Sequence, residues 1–224
     1  MSNNYKLYDL TLGLFVAVLI ISNIVSTKIV ALGPFTFDGG TILFPIVYIF
    51  GDVVTEVYGF KGARRIIWTG FFSLVLMSTI IWIVGAIPAA KDWNLQDSYN
   101  AILMTAPRIA VASMIAYWFG EFANSFVLAK MKVWTKGKHL WTRTIGSTIF
   151  GELIDTLIFC FIAFYGVLPN GLLISVVLSN YIFKVSYEAI ATPITYKVVN
   201  FYKKKEGIDV YDTSDFNPFK FDIT

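Results

Sequence analysis

Residues 66–88 read IIWTGFFSLVLMSTIIWIVGAIP and contain no charged side chain. A run of roughly 20 apolar residues is long enough to cross the hydrocarbon core of a bilayer as an α-helix. Similar runs fill most of the chain, which is 56% hydrophobic and 15% charged, whereas a soluble domain carries about 25% charged residues. Because every backbone polar group inside lipid must be paired within its own segment, the sequence predicts an all-α integral membrane protein.

The apolar runs predict a bundle of six transmembrane helices. Their approximate bounds are 9–31, 41–59, 66–88, 107–130, 144–168 and 173–198. These helices form one transmembrane domain over residues 1–205, and residues 206–224 form a polar tail without a domain of its own. The first run continues through Val30, so it is longer than the apolar core of a signal peptide, which has roughly 7–15 residues.

The basic residues predict the orientation of the bundle. Lysine and arginine cluster after the second, fourth and sixth spans, whereas the opposite loops hold few charges. Because cytoplasmic loops are enriched in basic residues, we expect both termini in the cytoplasm, in a multi-pass protein of the cell (inner) membrane. The same rule accounts for the net charge of +3, so the expected partner is the lipid bilayer and not nucleic acid.

Cysteine and histidine are too rare to build a metal centre. Cys160 is the one cysteine and lies in an apolar stretch, and His139 is the one histidine and lies in a basic loop. A single cysteine forms neither an internal disulfide nor a cysteine-rich metal site. We therefore expect no metal, no cofactor and no catalytic residue, and the chain is not expected to be an enzyme.

Ionisable and amide side chains inside the spans are the strongest functional signal in the sequence. Charges at membrane depth are costly unless they face protein or a water-filled cavity, and they commonly mark sites of function. The candidates are Asn23 and Lys28 in span one, Asp52 and Glu56 in span two, Arg108 and Glu121 in span four, Glu152 and Asp155 in span five, and Lys184 and Glu188 in span six.

Helical spacing gives four spans one polar stripe each, because residues three or four apart share a face. The stripes are Tyr48, Asp52 and Glu56; Ser113, Tyr117, Glu121 and Ser125; Thr148, Glu152, Asp155 and Phe159; and Asn180, Lys184 and Glu188. Four polar stripes cannot all face lipid, so we expect them to surround a shared polar cavity. At about 1.5 Å per residue, five of these residues fall near the bilayer midplane, where transporters commonly bind substrate. They are Asp52, Glu152, Asp155, Lys184 and Glu188.

Two roles for these charges stay open at this point. They bind substrate, or they form buried ion pairs that fix the helix register, for example Lys184 with Asp155. Acids outnumber bases inside the spans, and scaffolding alone does not require that excess. A second group is expected to gate the pathway or to be structural. It consists of Lys28 and Arg108 near the outer mouth, Glu56 near the inner mouth, and Glu121 deeper in its span.

A short pattern of phenylalanine, glycine and an acid occurs three times. The copies are Phe50-Gly51-Asp52, Phe119-Gly120-Glu121 and Phe150-Gly151-Glu152. Ser22-Asn23 and Ser179-Asn180 are each followed by a lysine, at Lys28 and Lys184. Three spans per half is an odd number, so duplicated halves would be inverted in the membrane. These matches are consistent with a 3+3 inverted repeat.

A longer string of motifs extends over roughly residues 20–212. It comprises Ser22-Asn23 with Lys28; Gly39-Gly40 with Phe44-Pro45; Asp52-x-x-x-Glu56-x-Tyr58-Gly59; Ala63-Arg64-Arg65; Pro107-Arg108-Ile109-Ala110-x-Ala112-Ser113; Ser147-Thr148-x-x-Gly151-x-x-x-Asp155-Thr156; Asn180-Tyr181-x-x-Lys184; Tyr187-Glu188; and Thr192-Pro193. In this string the chain resembles the YhhQ-type queuosine-precursor transporters, which are grouped with vitamin uptake transporters. The resemblance implies uptake of 7-deazaguanines for tRNA queuosine salvage. These are 7-cyano-7-deazaguanine, its aminomethyl form, and queuine.

The resemblance places the substrate region at the motif residues of spans one, two, five and six, without assigning individual contacts. A guanine-like ring presents an N–H and an amino group side by side, and one carboxylate accepts both hydrogen bonds. Asp52 and Asp155 are the first candidates for this contact. The full set of predicted substrate-binding residues is Asn23, Tyr48, Asp52, Glu152, Asp155, Asn180, Lys184 and Glu188.

Two rival functions remain. The first is the substrate-binding subunit of a vitamin or nucleobase importer of the energy-coupling factor type, which works with a separate ATP-driven module. The chain has no Walker motif of its own, so an energising module or a second copy would be its protein partner. The second is an intramembrane aspartyl enzyme using Asp52 and Asp155, but the sequence lacks the wider Gly-x-Gly-Asp pattern that is typical of such enzymes.

Overall fold

The computed structural model describes residues 5–25, 28–32, 35–103, 107–166, 169–212 and 216–219. Within these ranges the chain is helical apart from one short hairpin. The helices are α1 Tyr8–Val25, α2 Phe44–Ala86, α3 Gln96–Leu103, α4 Pro107–Trp134, α5 Leu140–Phe164 and α6 Asn170–Glu206. The hairpin pairs β1 Ile29–Leu32 antiparallel with β2 Phe35–Asp38, and a 3-10 helix, Gly39–Ile42, leads into α2.

The helical class predicted from the apolar runs is confirmed. The first helix is shorter than expected, because α1 ends at Val25 and the residues from Ile29 form a strand instead of continuing the helix to residue 31. Hydropathy alone does not distinguish the end of an apolar helix from a short apolar strand. The 3-10 helix likewise occupies the predicted start of the second span.

The bundle has an inverted distribution of polarity. Carboxylates such as Asp52 and Glu121 are fully buried, whereas large apolar side chains on the helix surfaces, such as Ile190 and Leu76, are exposed. An extensive apolar surface is unusual for a monomeric protein in water and suits contact with lipid. Within the described ranges, three helical segments are long and apolar enough to cross a membrane. They are α1, α2 and residues 140–163 of α5.

Helix α2 consists of two segments that both lie beside α4. The contacts that establish this are Asp52 with Asn124, Thr55 with Ser125, Phe60 with Phe122, and Trp68 with Trp118. In the first two pairs the residue numbers rise together, and in the last two they run in opposite directions. The chain therefore reverses direction between Thr55 and Phe60.

Gly59 is the point of reversal. Its backbone has φ 76° and ψ −177°, a conformation that is accessible essentially to glycine alone. A Cβ atom at this position would lie 2.7 Å from Cγ1 of Val210. The predicted loop at 60–65 is therefore helical, and the separation between the second and third predicted spans is reduced to one residue.

The C-terminal tail packs along α2 at this reversal, although the sequence predicted only a polar extension. The Val210 amide donates to the carbonyl of Val57 at 3.2 Å, and Asp212 accepts a hydrogen bond from the amide of Phe60. Further along, Arg64 and Trp68 donate to backbone carbonyls of the tail. These bonds attach the tail to both segments of α2.

The beginning of α1 and the end of α6 meet at the same end of the bundle. The Glu206 carboxylate accepts hydrogen bonds from the amides of Lys6 and Leu7 and from the hydroxyl of Tyr58. A carboxylate at a helix N-terminus pairs with unsatisfied amides and with the helix dipole. We call this end, where Glu206, Gly59 and the tail lie, the tail end.

Substitution of Gly59 by alanine is expected to destabilise the fold. The positive φ costs about 1–3 kcal/mol for a residue with a Cβ atom, and the contact with Val210 adds to that cost. Gly13→Ala in α1 is the matched control, because a Cβ atom at Gly13 meets nothing within 4 Å. Thermal unfolding in detergent should show a clear drop in Tm for Gly59→Ala alone, and equal Tm values for the two variants would contradict the proposed reversal.

Candidate functional site

Four helices bring their polar stripes together in the middle of the bundle. The side chains that meet there, the central cluster, are Asp52 from α2, Glu121 and Asn124 from α4, Glu152 and Asp155 from α5, and Lys184 and Glu188 from α6. All of these except Lys184 are buried, and the side chain of Lys184 is 18% exposed. The inward orientation predicted from helical spacing is confirmed.

Lys184 pairs with both carboxylates of α5. Its ammonium lies 2.6 Å from Oδ2 of Asp155 and 3.0 Å from Oε2 of Glu152. Tyr48 from α2 interacts electrostatically with Glu152 and Asp155, and the ring of Phe44 lies 5.9 Å from the ammonium. The ion pair between Lys184 and Asp155 that the sequence suggested is present, and it joins α5 to α6.

The remaining carboxylates of the cluster have fewer partners. Asn124 donates from Nδ2 to Oδ1 of Asp52 at 2.8 Å. Among the described residues, both oxygens of Glu121, both of Glu188 and Oδ2 of Asp52 are buried without a hydrogen-bond partner. Buried polar atoms in native proteins are nearly always paired, so such a concentration of unpaired acceptors is typical of a site that receives donors from a ligand, a proton or water.

The repeated Phe-Gly-acid pattern has a structural explanation. A Cβ atom at Gly51 would collide with Oε1 of Glu121, one at Gly120 would lie 2.7 Å from Cβ of Asp155, and one at Gly151 would lie 2.6 Å from Cβ of Asn124. Each glycine therefore allows a neighbouring helix to approach. The phenylalanines of the α4 and α5 copies, Phe119 and Phe150, are about half exposed on the bundle surface. In the α4 and α5 copies, the three residue types thus face the bundle surface, a neighbouring helix and the polar interior in turn.

A second charged group lies at the tail end. Glu56 is fully buried, and its Oε1 lies 2.8 Å from Arg143 and 2.7 Å from Lys203. Lys132 also donates to the Glu56 carbonyl and to Asp209 in the tail, both at 2.5 Å. Burial raises the pKa of Asp209, but hydrogen bonds from Lys132 and Lys203 outweigh it and hold that pKa below its ordinary value.

Glu56 lies at the tail end of the bundle, and its predicted place near the inner mouth stays a prediction. Lys132 and Arg143 belong to the basic cluster that follows the fourth predicted span, yet the structure buries both beside Glu56. Counting basic residues in each loop predicts the orientation of the protein in the membrane. It does not show that such residues form ion pairs with a carboxylate on another helix. Their buried pairing makes the tail end an ionic junction among α2, α4, α5, α6 and the tail.

Several predicted residues lie away from the central cluster. Asn23 donates to the carbonyl of Leu19 within α1, and no hydrogen bond or ion pair in the described ranges joins Asn180 to the cluster. Lys28 is exposed between α1 and β1. Arg108 lies in the first turn of α4, and its side chain falls outside what the structure describes. Glu121, predicted to be a gating or structural charge, is part of the central cluster.

Asn124 is the cluster residue that the sequence interpretation did not single out. It lies three residues after Glu121 and therefore on the same side of α4. Amides were considered as candidates in spans one and six only, although this spacing would have identified Asn124 as well. No group of three or more histidine, cysteine, aspartate or glutamate side chains among the described residues is arranged to hold a metal ion.

An apolar surface around a charged and partly unpaired interior is typical of a membrane transport protein. Residues 38–198, more than half of the chain, match the family described as "Putative vitamin uptake transporter". The chain belongs to this family, and the resemblance inferred from its motifs is confirmed. No solved structure matches the chain.

Three curated relatives have similar names. The chain is 28% identical over 189 residues, covering 83% of it and 82% of the relative, to a "Probable queuosine precursor transporter" of Bacillus subtilis (strain 168). It is 28% identical over 149 residues, covering 63% and 60%, to a protein of the same name from Haemophilus influenzae (strain ATCC 51907 / DSM 11121 / KW20 / Rd). It is also 28% identical over 126 residues, covering 56% and 54%, to the "Queuosine precursor transporter" of Escherichia coli (strain K12).

Lys184→Met should destabilise the protein more than an equivalent change on the surface of α6. The substitution leaves Glu152 and Asp155 without their cation, and breaking a buried ion pair from one side costs about 3–5 kcal/mol. Lys197→Met, an exposed lysine on the same helix, is the control. Thermal unfolding in detergent measures the difference.

A compensating variant separates loss of charge balance from loss of packing. Adding Glu152→Gln and Asp155→Asn to Lys184→Met removes the unpaired charges, so most of the lost Tm should return. If Lys184→Met unfolds at the wild-type temperature, the ion pairs do not stabilise the junction between α5 and α6.

Proposed function

We propose that the chain takes up queuosine precursors of the 7-deazaguanine class across the cell membrane and performs no enzymatic reaction. The observation that carries this proposal is the group of Lys184, Asp155, Glu152 and Tyr48, which lies inside a bundle whose outer surface is apolar. Family membership and the names of the three relatives support the same substrate class.

The partly exposed end of the central cluster suits a guanine-type ring. Asp155 and Lys184 are its most accessible charged side chains, at 12% and 18% exposure. A carboxylate accepts the adjacent ring N–H and amino hydrogens as charge-assisted hydrogen bonds, and the ammonium donates to the ring carbonyl. The ion pair with Lys184 holds Glu152 beside them, next to Tyr48, and Phe44 provides an aromatic face near the ammonium.

The other predicted binding residues are less suited to direct contact. Asp52 is fully buried and accepts from Asn124, and Glu188 is also buried. We therefore propose Tyr48, Glu152, Asp155 and Lys184 as the substrate contacts. Binding roles for Asn23 and Asn180 remain predictions.

We further propose six membrane crossings. Helix α2 supplies two of them, because the chain reverses at Gly59, and α1, α4, α5 and α6 supply the others. With the start of α1 and the end of α6 at the tail end, this path fits the orientation predicted from the basic loops, in which the tail end is cytoplasmic. The inverted repeat and the pairing with an energising module or a second copy remain predictions.

Cysteine labelling tests the orientation. In a Cys160→Ala background, Lys138→Cys at the tail end should be protected from a membrane-impermeant thiol reagent added to intact cells. Lys91→Cys, between α2 and α3, should react. Both lysines are exposed, so burial does not explain a difference. Labelling of position 138 from outside would overturn the orientation.

Salvage in cells tests the function. Expression in a strain that lacks both precursor synthesis and its own transporter should restore queuosine in tRNA when an external 7-deazaguanine is supplied. Failure with 7-cyano-7-deazaguanine, its aminomethyl form and queuine would contradict the proposal. Asp155→Asn should weaken binding to the purified protein about tenfold or more, because a lost hydrogen bond to a charged group costs about 1.5–3 kcal/mol. Asp97→Asn, an exposed acid in α3, is the control.

A further inference from the structure

The central cluster divides into two halves that differ in charge balance. In the accessible half, Lys184 pairs with Glu152 and Asp155. In the deeper half, Asp52, Glu121 and Glu188 form no ion pair with a cation of the described residues. The two halves are joined through α6, where Lys184 and Glu188 are one helical turn apart.

The deeper half concentrates unpaired acceptors. Five carboxylate oxygens of Asp52, Glu121 and Glu188 are buried without a hydrogen-bond partner in the described ranges. An isolated ionised carboxylate in an apolar interior is so costly that it is normally neutralised. These acids therefore require a positive charge or a proton when no substrate donor reaches them.

Two neutral side chains provide independent evidence for a site at this position. Oδ1 of Asn124 and the hydroxyl of Tyr117 are buried and unpaired within the described structure, and both side chains are more than nine-tenths buried. Asn124 is directed at Asp52 by its own hydrogen bond, and Tyr117 lies one turn before Glu121 on α4. The Asn124 amide already contacts Asp52 through its nitrogen, and its unpaired oxygen is an acceptor suited to hold a protonated acid in place.

Charged groups from every adjacent element face this half. Glu121 interacts electrostatically with Asp52, Glu152, Asp155 and Glu188. Asp52 also interacts with Glu56 on its own helix, and Tyr48 and Tyr117 are the titratable hydroxyls nearby. Glu56 is itself paired with Arg143 and Lys203, and Lys184 is paired on α5, so no free cation is left for the deeper half among the described residues.

We propose that Asp52, Glu121 and Glu188 form a proton-binding site, and that a proton carried on these carboxyl groups drives substrate inward. This inference rests on the proposed uptake function. A proton fits better than a metal ion, because the described acids are not arranged as metal ligands. The proton binds a carboxylate oxygen from the outer side and leaves it toward the cytoplasm, so each cycle moves one proton with the substrate and no other bond changes.

The physical basis of the coupling is the shared helix α6. Substrate at Asp155 and Lys184 contacts one turn of α6, and the proton on Glu188 neutralises the next. An unpaired charge that moves past apolar helices is costly. The bundle therefore changes conformation at a lower cost when substrate occupies the turn of Lys184 and a proton neutralises Glu188. The substrate-bound and protonated states therefore favour each other.

The test uses purified wild-type protein in liposomes that contain no other protein, with labelled 7-cyano-7-deazaguanine as the probe. A pH difference of one unit, acid outside, is imposed at zero membrane potential. One coupled proton should concentrate the neutral probe about tenfold inside at steady state, and a protonophore should abolish the difference. Exchange of labelled for unlabelled probe without a pH gradient is measured in parallel.

The outcomes separate the two proposals. Exchange with no accumulation at any pH difference, or accumulation driven by sodium alone, overturns the proton site and leaves the uptake function standing. Absence of exchange with all three 7-deazaguanines overturns the uptake function. In that case infrared spectroscopy still decides the proton site, because protonated buried carboxyl groups give a distinct carbonyl band at neutral pH, and absence of the band overturns it.

Variants identify the residues. Glu121→Gln and Glu188→Gln mimic the protonated acids, so each should fold and should lower the steady-state accumulation ratio from about ten to about one. The plateau depends on coupling and not on speed, so a variant that is merely slower still reaches tenfold. Asp97→Asn, the exposed control, should keep the tenfold plateau and the full infrared band. A tenfold plateau in both glutamine variants would overturn the assignment.

Discussion

The cost of an unpaired charge in a medium without water is the constraint on which this structure depends. Lys184 meets it by pairing with two carboxylates of α5, and Glu56 meets it by pairing with Arg143 and Lys203. The Lys184 group joins the consecutive helices α5 and α6, and the Glu56 group joins helices that are distant in sequence. The charges therefore fix which helices are neighbours, and the apolar residues that remain form the surface toward lipid.

The two ionic groups differ in a way that bears on transport. At the tail end, Glu56 pairs with Arg143 and Lys203 and the tail adds Asp209 to the same group, so cations outnumber acids there. In the central cluster, acids exceed the one paired lysine and several oxygens have no partner among the described residues. The two groups therefore carry an excess of opposite charge, with cations in excess at the tail end and acids in excess in the central cluster.

Much of the site could be predicted from the sequence because a helix repeats every 3.6 residues. That period placed Tyr48 with Asp52 and Glu152 with Asp155 on inward faces, and the structure buries all four. It could not reveal that α2 reverses at Gly59, because the positive φ depends on contacts with the distant tail. It also could not show that Arg143, one of the basic residues after the fourth predicted span, is buried in an ion pair with Glu56. That contact joins two different helices, α5 and α2.

A structure determined with 7-cyano-7-deazaguanine bound tests the central claim most directly, namely that the accessible half of the central cluster recognises the base. The account predicts the ring between α5 and α6, with its N–H and amino edge on the carboxylate of Asp155 and its carbonyl near Lys184. A ring bound at the tail end, or one that contacts Asp52 and Glu188 while Asp155 stays paired with Lys184, would contradict it.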